Sequence, residues 1–235
     1  MTGAVALVPV QALDQGRGRL EPLIKGAEQA ALARAMLIDV VRALGDVQGL
    51  AGIRVLTGDP EASDCATWEG VGVMAARAGE KLNVTLARGC LNLASEGVET
   101  VVIVPADLPA LDPAQVADLL ARHRRDIADG AKRATLVADH RGQGTNLIIA
   151  SPAAGLPFRF GPASFSEHRK AARRARFTVD VAILPSVGLD LDRPGDIARF
   201  LDEGHCGEAA NLLALLDMPA RIRALKQRSE EQSGH

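Results

Sequence analysis

Hydrophobic and polar positions fall into two rhythms along the chain, and the order of those rhythms predicts the architecture. Ala4-Val5-Ala6-Leu7-Val8-Pro9-Val10 is a continuous apolar run, the pattern of a strand covered on both faces. A polar loop containing Gly16, Arg17, Gly18 and Arg19 follows it. From Glu28 to Leu44, Ala31, Leu32, Ala35, Met36, Val40 and Val41 recur at helical spacing, and Gly45 marks the stop. Ile53 to Thr57 reads as a second strand, ended by Gly58-Asp59-Pro60, and Val71 to Met74 as a shorter third. Asn83 to Ser95 reads as a helix and Val101 to Pro105 as a strand. Asp112-Pro113 then opens a helix running through Leu119 and Leu120 to about His123, with the aspartate as N-cap and the proline in the first turn.

Beyond Ala134 the pattern loosens. Thr135 to Ala138 and Asn146 to Ala150 read as strands around the turn Asp139-His140-Arg141-Gly142-Gln143-Gly144. Phe165 to Arg176 reads as a basic helix, Val179 to Leu184 as a strand and Leu189 to Asp192 as a short strand. Asp196 to Leu201 and Glu208 to Leu225 are closing helices, and residues 226–235 form a polar tail expected to be disordered. Alternating strands and helices predict a largely parallel sheet with helices on both faces. With no linker or repeat, residues 1–225 read as one domain.

Composition narrows the partners. At 235 residues and 47% hydrophobic, the chain is long enough to bury a substantial core. A net charge of −2 leaves no basic footprint for nucleic acid or an anionic membrane surface. One Trp and no Tyr also argue against a base-stacking surface. Cys65, Cys90 and Cys206 lie far apart without a CxxC pair and read as free thiols in a reducing compartment. No basic leader precedes the first apolar run, and no stretch nears the ~18 apolar residues of a membrane span. A cytoplasmic protein is the expectation.

Candidate chemistry begins with three aspartates. Asp107 follows the strand Val101 to Pro105, and ligands of open α/β sheets gather beyond such strand ends. A simple turn or cap role is an equally open reading for it. Asp190 and Asp192 stand one residue apart. On a strand they would share a face while Leu189 and Leu191 took the other. Two like charges so placed are unfavourable unless a cation or donor lies between them, although a solvated strand end before Pro194 remains the plain alternative. Carboxylate oxygens suit Mg²⁺, whose shell is commonly completed by water and substrate phosphates. If the three acids meet, the chain is a metal-dependent enzyme that handles phosphates.

Three loops carry weaker signals. In Gln11 to Arg19, Gly16 and Gly18 would let amides approach a phosphate, with Arg17 and Arg19 neutralising it. The loop lacks both the Walker A ending and the GxGxxG pattern, and a solvated basic loop competes with the phosphate reading. Gly142 to Asn146 and Phe158 to Phe165 each join glycine to a hydroxyl residue at an element boundary. Ser164 either helps a helix terminus attract an anion or is an ordinary N-cap. His168, Arg169, Lys170, Arg173 and Arg174 read as a solvated helix face, and His205 and Cys206 as structural.

Several segments together resemble a known family. Val8-Pro9-Val10, Arg17-Gly18-Arg19-Leu20, Leu32 to Leu37, Pro105-Ala106-Asp107-Leu108-Pro109, Gly144-Thr145-Asn146, Phe158-Arg159-Phe160-Gly161-Pro162-Ala163-Ser164-Phe165 and Leu189 to Pro194 occur in order. This order is similar to the phospholactate or phosphoenolpyruvate guanylyltransferases of deazaflavin coenzyme F-420 biosynthesis, over about residues 4 to 200. The Phe158 to Phe165 run is the most specific part.

The resemblance implies a three-layer α/β/α nucleotidyltransferase fold, GT-A-like and Rossmann-like, around a mixed, mostly parallel sheet. It implies transfer from GTP to a phosphorylated three-carbon acid (phosphoenolpyruvate, 2-phospholactate or 3-phosphoglycerate) with release of pyrophosphate. It further implies Mg²⁺ on Asp107, Asp190 and Asp192, and the acid on Thr145, Gly161 and Ser164. The nucleotide would meet Gln11, Arg17, Arg19 and Asn83, with Arg17, Arg19 and Asp107 serving the chemistry. The chain departs from the family in having Gln11 for a usual Lys, Arg17-Gly18 for Lys-Ser, and Ala163 for a usual Gly. Another nucleotidyl- or glycosyltransferase of the same fold, or a nucleotide-binding protein without activity, are the other readings. A homodimer is an open possibility.

Overall fold

Alternate residues of the central strands point to opposite faces of one sheet, and each face has its own helices. A computed structural model describes residues 3–13, 18–125, 127 and 131–233. Its elements in chain order are β1 (Ala4–Val10), α1 (Ala27–Gly45), β2 (Leu50–Thr57), α2 (Pro60–Trp68), β3 (Gly72–Ala75), α3 (Leu82–Ser95), β4 (Val101–Ile103) and α4 (Pro113–Arg125). They continue as β5 (Arg133–Ala138), β6 (Thr145–Ser151), α5 (Ser164–Arg174), β7 (Thr178–Ala182), α6 (Pro194–Asp202), α7 (Glu208–Leu215) and α8 (Met218–Ser233). The strands lie in the order β3-β2-β1-β4-β6-β5-β7. All described pairings are parallel except those of β6, which runs against both β4 and β5.

The three layers follow from the side-chain alternation. Ala4, Ala6 and Val8 of β1 face Leu37, Val40 and Val41 of α1, together with the apolar sides of α2 and α4. Val5 and Leu7 face the other way, onto Leu86, Cys90 and Leu93 of α3 and Ala172 of α5. Gly89 lets α3 lie close to the sheet, since a Cβ there would stand 3.2 Å from both Leu7 and Leu56. A third apolar cluster forms where α6, α7 and α8 cover Leu20, Leu189 and Leu191. Every large side chain in it is removed from water, which makes the end segment part of the fold.

Four expectations need correction. α2 was not anticipated: Asp59 is its N-cap, accepting the amide of Ala62 at 2.9 Å, and Pro60 occupies its first turn. Leu189 to Asp192 is not a strand; the chain folds back, with the Asp192 amide donating to the Asp190 carbonyl at 3.1 Å. The single helix expected from Glu208 to Leu225 is broken at Leu216-Asp217, where Asp217 adopts φ 45°. The backbone of α8 then stays helical to Ser233, past the start of the expected tail at residue 226. Among the described residues, no helix is long and apolar enough to cross a membrane.

Candidate active site

The reversal of β6 builds the site. Ile103 of β4 pairs with Ile148 and Val101 with Ala150, so the start of β6 lies beside the end of β4. Thr145 and Asn146 therefore reach the same sheet edge as the outgoing ends of β1 and β4. A cavity of ≈ 370 Å³ opens there, and Gln11, Asp107, Thr145, Gly161, Ser164, Asp190 and Asp192 all line it. A second depression of ≈ 550 Å³, beyond the ends of β1, β2 and β3, shares Gln11 and Leu82 with the first. Asp59 fixes the boundary between them: its second carboxylate oxygen accepts the Leu13 amide at 3.1 Å.

One wall is acidic. The amide of Leu191 donates to the carbonyl of Asp107 at 3.1 Å, tying the two acidic loops together. Leu189 and Leu191 are buried in the third cluster, which turns Asp190 and Asp192 towards the cavity. The alternation expected of a strand is thus realised by a turn. Asn146 donates to the Val187 carbonyl at 2.8 Å and reaches Asp190 at 3.5 Å. Burial pushes the Asp190 carboxyl above the usual carboxylate range, and the charges of Asp196 and Asp139 add to that push. Asp192 is held in an ion pair by the exposed Arg19. Among the described residues, no three His, Cys, Asp or Glu side chains converge at metal-ligand spacing. The acids share a cavity without forming a ready-made cage. Arg17, with Gly16, lies outside the described residues.

The opposite wall is neutral and carries hydroxyls. Ser164 is the first residue of α5, and its hydroxyl turns to Thr145 Oγ1 at 3.3 Å. The amides of Ser164 and Phe165 are bonded to the Gly161 and Gln143 carbonyls at 3.2 and 3.0 Å. The helix terminus therefore has less free N–H to offer an anion than its sequence position suggests. Gly161 has φ 132°, a conformation that an L side chain rarely adopts. Ala163 stands in the left-handed region at φ 54°, which favours glycine.

His168 overturns the reading of a wholly solvated helix face. It is fully buried, and desolvation holds its pKa down to about 4. Its ring lies edge-on to Phe160 at 4.7 Å and to Phe158 at 6.5 Å, while the Arg159 amide donates to its Nε2 at 2.8 Å. The Phe158-Arg159-Phe160 segment is thus a collar around an imidazole. Asn83 locks that collar from α3: its Oδ1 accepts the Phe160 amide at 2.8 Å and its Nδ2 donates to the Phe160 carbonyl at 3.1 Å. Both ends of the Asn83 amide are thereby engaged by backbone, and among the described residues Leu82, its neighbour, lines the cavity in its stead.

In the sequence, His168 reads as part of a solvated face and Asp59 as a strand-ending turn, and Asn146 carries no individual role. For Asp59 the signal was present in Asp-Pro, the same start pattern read correctly at Asp112-Pro113, where Asp112 caps Ala114 at 2.8 Å. His168 gave none, because four basic residues share its helix and only the third dimension separates it from them.

Comparison with known proteins identifies the family. The family model for guanylyl transferase CofC like proteins matches residues 4–229. Phosphoenolpyruvate guanylyltransferase of Conexibacter woesei is 34% identical, over 92% of this chain and 96% of that protein. The enzyme of the same name from Rubrobacter xylanophilus is 36% identical over 85% and 94%. The 2-phospho-L-lactate guanylyltransferase of Methanothermobacter thermautotrophicus is 29% identical over 92% and 93%. Among solved structures, a protein of Desulfovibrio desulfuricans assigned as a nucleotide-diphospho-sugar transferase superposes with a TM-score of 0.74 at 20% identity, covering 96% of this chain and 99% of that one. A nucleotidyl transferase from Methanothermobacter gives 0.59 at 17% identity, covering 85% and 97%, and these two likenesses speak for the fold. The chain belongs to the guanylyl transferase CofC like family and is a nucleotidyltransferase.

Proposed function

We propose that this enzyme transfers the guanylyl group of GTP to the phosphate of a phosphorylated three-carbon acid, releasing pyrophosphate. One observation carries the reading: a single cavity has carboxylates on one wall and neutral hydroxyls on the other. Hydroxyl donors suit the oxygens of a small acid without adding charge, and an acidic wall suits phosphates only with a cation between. The substrate class comes from the relatives, which are named for phosphoenolpyruvate and 2-phospho-L-lactate. 3-Phosphoglycerate shares their chemistry, and the family resemblance supports a place in coenzyme F-420 biosynthesis.

The donor set fits a hard divalent cation. All three candidate ligands are carboxylates, and the half-buried Asp190 sits among further acids whose repulsion a cation would relieve. Asp107, Asp190 and Asp192 would hold Mg²⁺, which when bound draws charge from the phosphates. Thr145, Gly161 and Ser164 would seat the acid, and the adjoining depression beyond β1, β2 and β3 would take the nucleoside. Gln11, Arg17 and Arg19 would meet the triphosphate. An oxygen of the acid's phosphate attacks the α-phosphorus, the bond to the bridging oxygen breaks, and its electron pair departs on pyrophosphate. That nucleophile is already anionic, so alignment and charge stabilisation are enough and no general base is required.

Incubating the chain with GTP, CTP, ATP or UTP, each acid and Mg²⁺, followed by mass detection of the adduct, tests the proposal. A guanosine diphospho adduct with one of the acids is expected. Adducts with CTP alone would overturn the nucleotide assignment, and nucleotide-induced thermal stabilisation without any adduct would point to a binding protein.

A further inference from the structure

We infer that His168 is a positioning residue which fixes the Thr145 hydroxyl as a hydrogen-bond donor to the acid substrate; this rests on the proposed function of the same cavity. A backbone N–H only donates, so the Arg159 amide, 2.8 Å from Nε2, requires a lone pair there. The neutral imidazole must then carry its proton on Nδ1. Nδ1 lies 3.0 Å from Thr145 Oγ1, which accepts that proton as a hydrogen bond, and the Ser164 backbone, which also faces the ring, favours a proton on the same side.

Ser164 supplies the second donor to the same oxygen, at 3.3 Å. Thr145 Oγ1 has two acceptor sites, and both are thereby used. Its own hydrogen has no acceptor among the described residues, while the side chain lines the cavity. A hydroxyl that could rotate to give or take is left only able to give. An oxygen of a carboxylate or phosphate is the complement of that state, and a ligand hydroxyl acting as donor is disfavoured.

The surroundings keep the ring neutral and still. His168 is fully buried, boxed by Phe158 and Phe160, and Asn83 clamps the Phe160 backbone on both sides. Protonating Nε2 would set it against the Arg159 amide. The collar thus keeps the imidazole out of proton transfer and makes it an orientation device.

The test compares His168→Asn, His168→Gln and His168→Ala in steady-state kinetics with varied acid and varied GTP. Asn keeps a donor where Nδ1 stood; Gln keeps an acceptor for the Arg159 amide but leaves Thr145 undirected. The KM for the acid should rise roughly tenfold or more in the Gln and Ala variants, while Asn restores most of it and the KM for GTP stays within about twofold. In a Thr145→Val background, adding His168→Gln should cause no further rise. Equal, additive losses in both KM values would overturn the inference.

Nitrogen-15 spectra of the wild-type imidazole give an answer that does not depend on turnover. Protonated Nδ1 with unprotonated Nε2 at neutral pH is expected, and addition of phosphoenolpyruvate should shift Nδ1 without changing the tautomer. The opposite tautomer, or an imidazolium, would overturn the assignment. If wild-type protein neither turns over nor binds any of the acids, the functional reading fails; if it does and the kinetic split is missing, only the role of His168 fails.

Discussion

The amide of Leu191 donates to the carbonyl of Asp107 at 3.1 Å, and that bond ties the two acidic loops together. Leu191 is fully buried beneath the closing helices, so Asp190 and Asp192 flank an anchored residue. The spacing of the acids is therefore set by packing some distance from the chemistry.

Replacing Asp190 with Asn should separate function from stability. Turnover with Mg²⁺ should fall by about a hundredfold or more, as for removal of a main electrostatic group. The fold should be unharmed or slightly firmer, because the carboxylate is desolvated and faces Asp139 and Asp196. Activity assays paired with thermal melts check both halves. Unchanged turnover would sink the metal assignment.

Ala163 pays a conformational penalty at φ 54° that glycine avoids. Ala163→Gly should raise stability by up to about 1 kcal/mol, the gain being trimmed by the greater freedom of glycine in the unfolded chain. Urea unfolding measures it. A loss of stability would mean that the Ala163 methyl makes a contact worth more than the strain.

Burial of His168 predicts an acid-sensitive fold. Its pKa falls from 6.5 to about 4 on folding, so between those values the unfolded chain binds the extra proton. The fold suffers no penalty from this group above pH 6.5; stability falls progressively as pH drops towards 4, by roughly 3 kcal/mol in all. Denaturant unfolding at pH 7.5, 6 and 5 should show that slope, reduced in His168→Asn.

Asn83 has two competing roles with different kinetic signatures. If it clamps the collar, Asn83→Ala leaves the Phe160 amide and carbonyl unpartnered, and the KM for the acid rises severalfold while that for GTP does not. If it touches the nucleoside, as the family resemblance implies, the KM for GTP rises first. Steady-state assays with each substrate varied in turn decide between them.

Much of this site was legible because strand ends announce themselves. The apolar run before Asp107 and the Leu-Asp-Leu-Asp alternation both led to residues that line one cavity. The alternation gave the right facing through the wrong element, since burying Leu189 and Leu191 needs only every second side chain to turn inward. α2 was missed because its nine residues carry a weak apolar stripe, Ala62, Cys65 and Ala66. His168 was hidden for another reason. Its burial depends on phenylalanines that precede its helix and on an asparagine of α3, and none of these contacts has a sequence period.

The backward course of β6 also decides which parts of the pocket are neighbours in sequence. A strand entered from the site delivers its first residue there, so Thr145 follows directly from the β5–β6 turn and is soon followed by the collar and α5. The residues of the hydroxyl wall lie within residues 133–174, with Asn83 of α3 clamping their collar from outside, whereas Asp107, Asp190, Asp192 and Gln11 lie beyond that span. The two walls of the pocket are thus largely separate in sequence. Grafting residues 133–174 from a relative that takes a different acid should transplant the acceptor preference while leaving the nucleotide choice of the host intact.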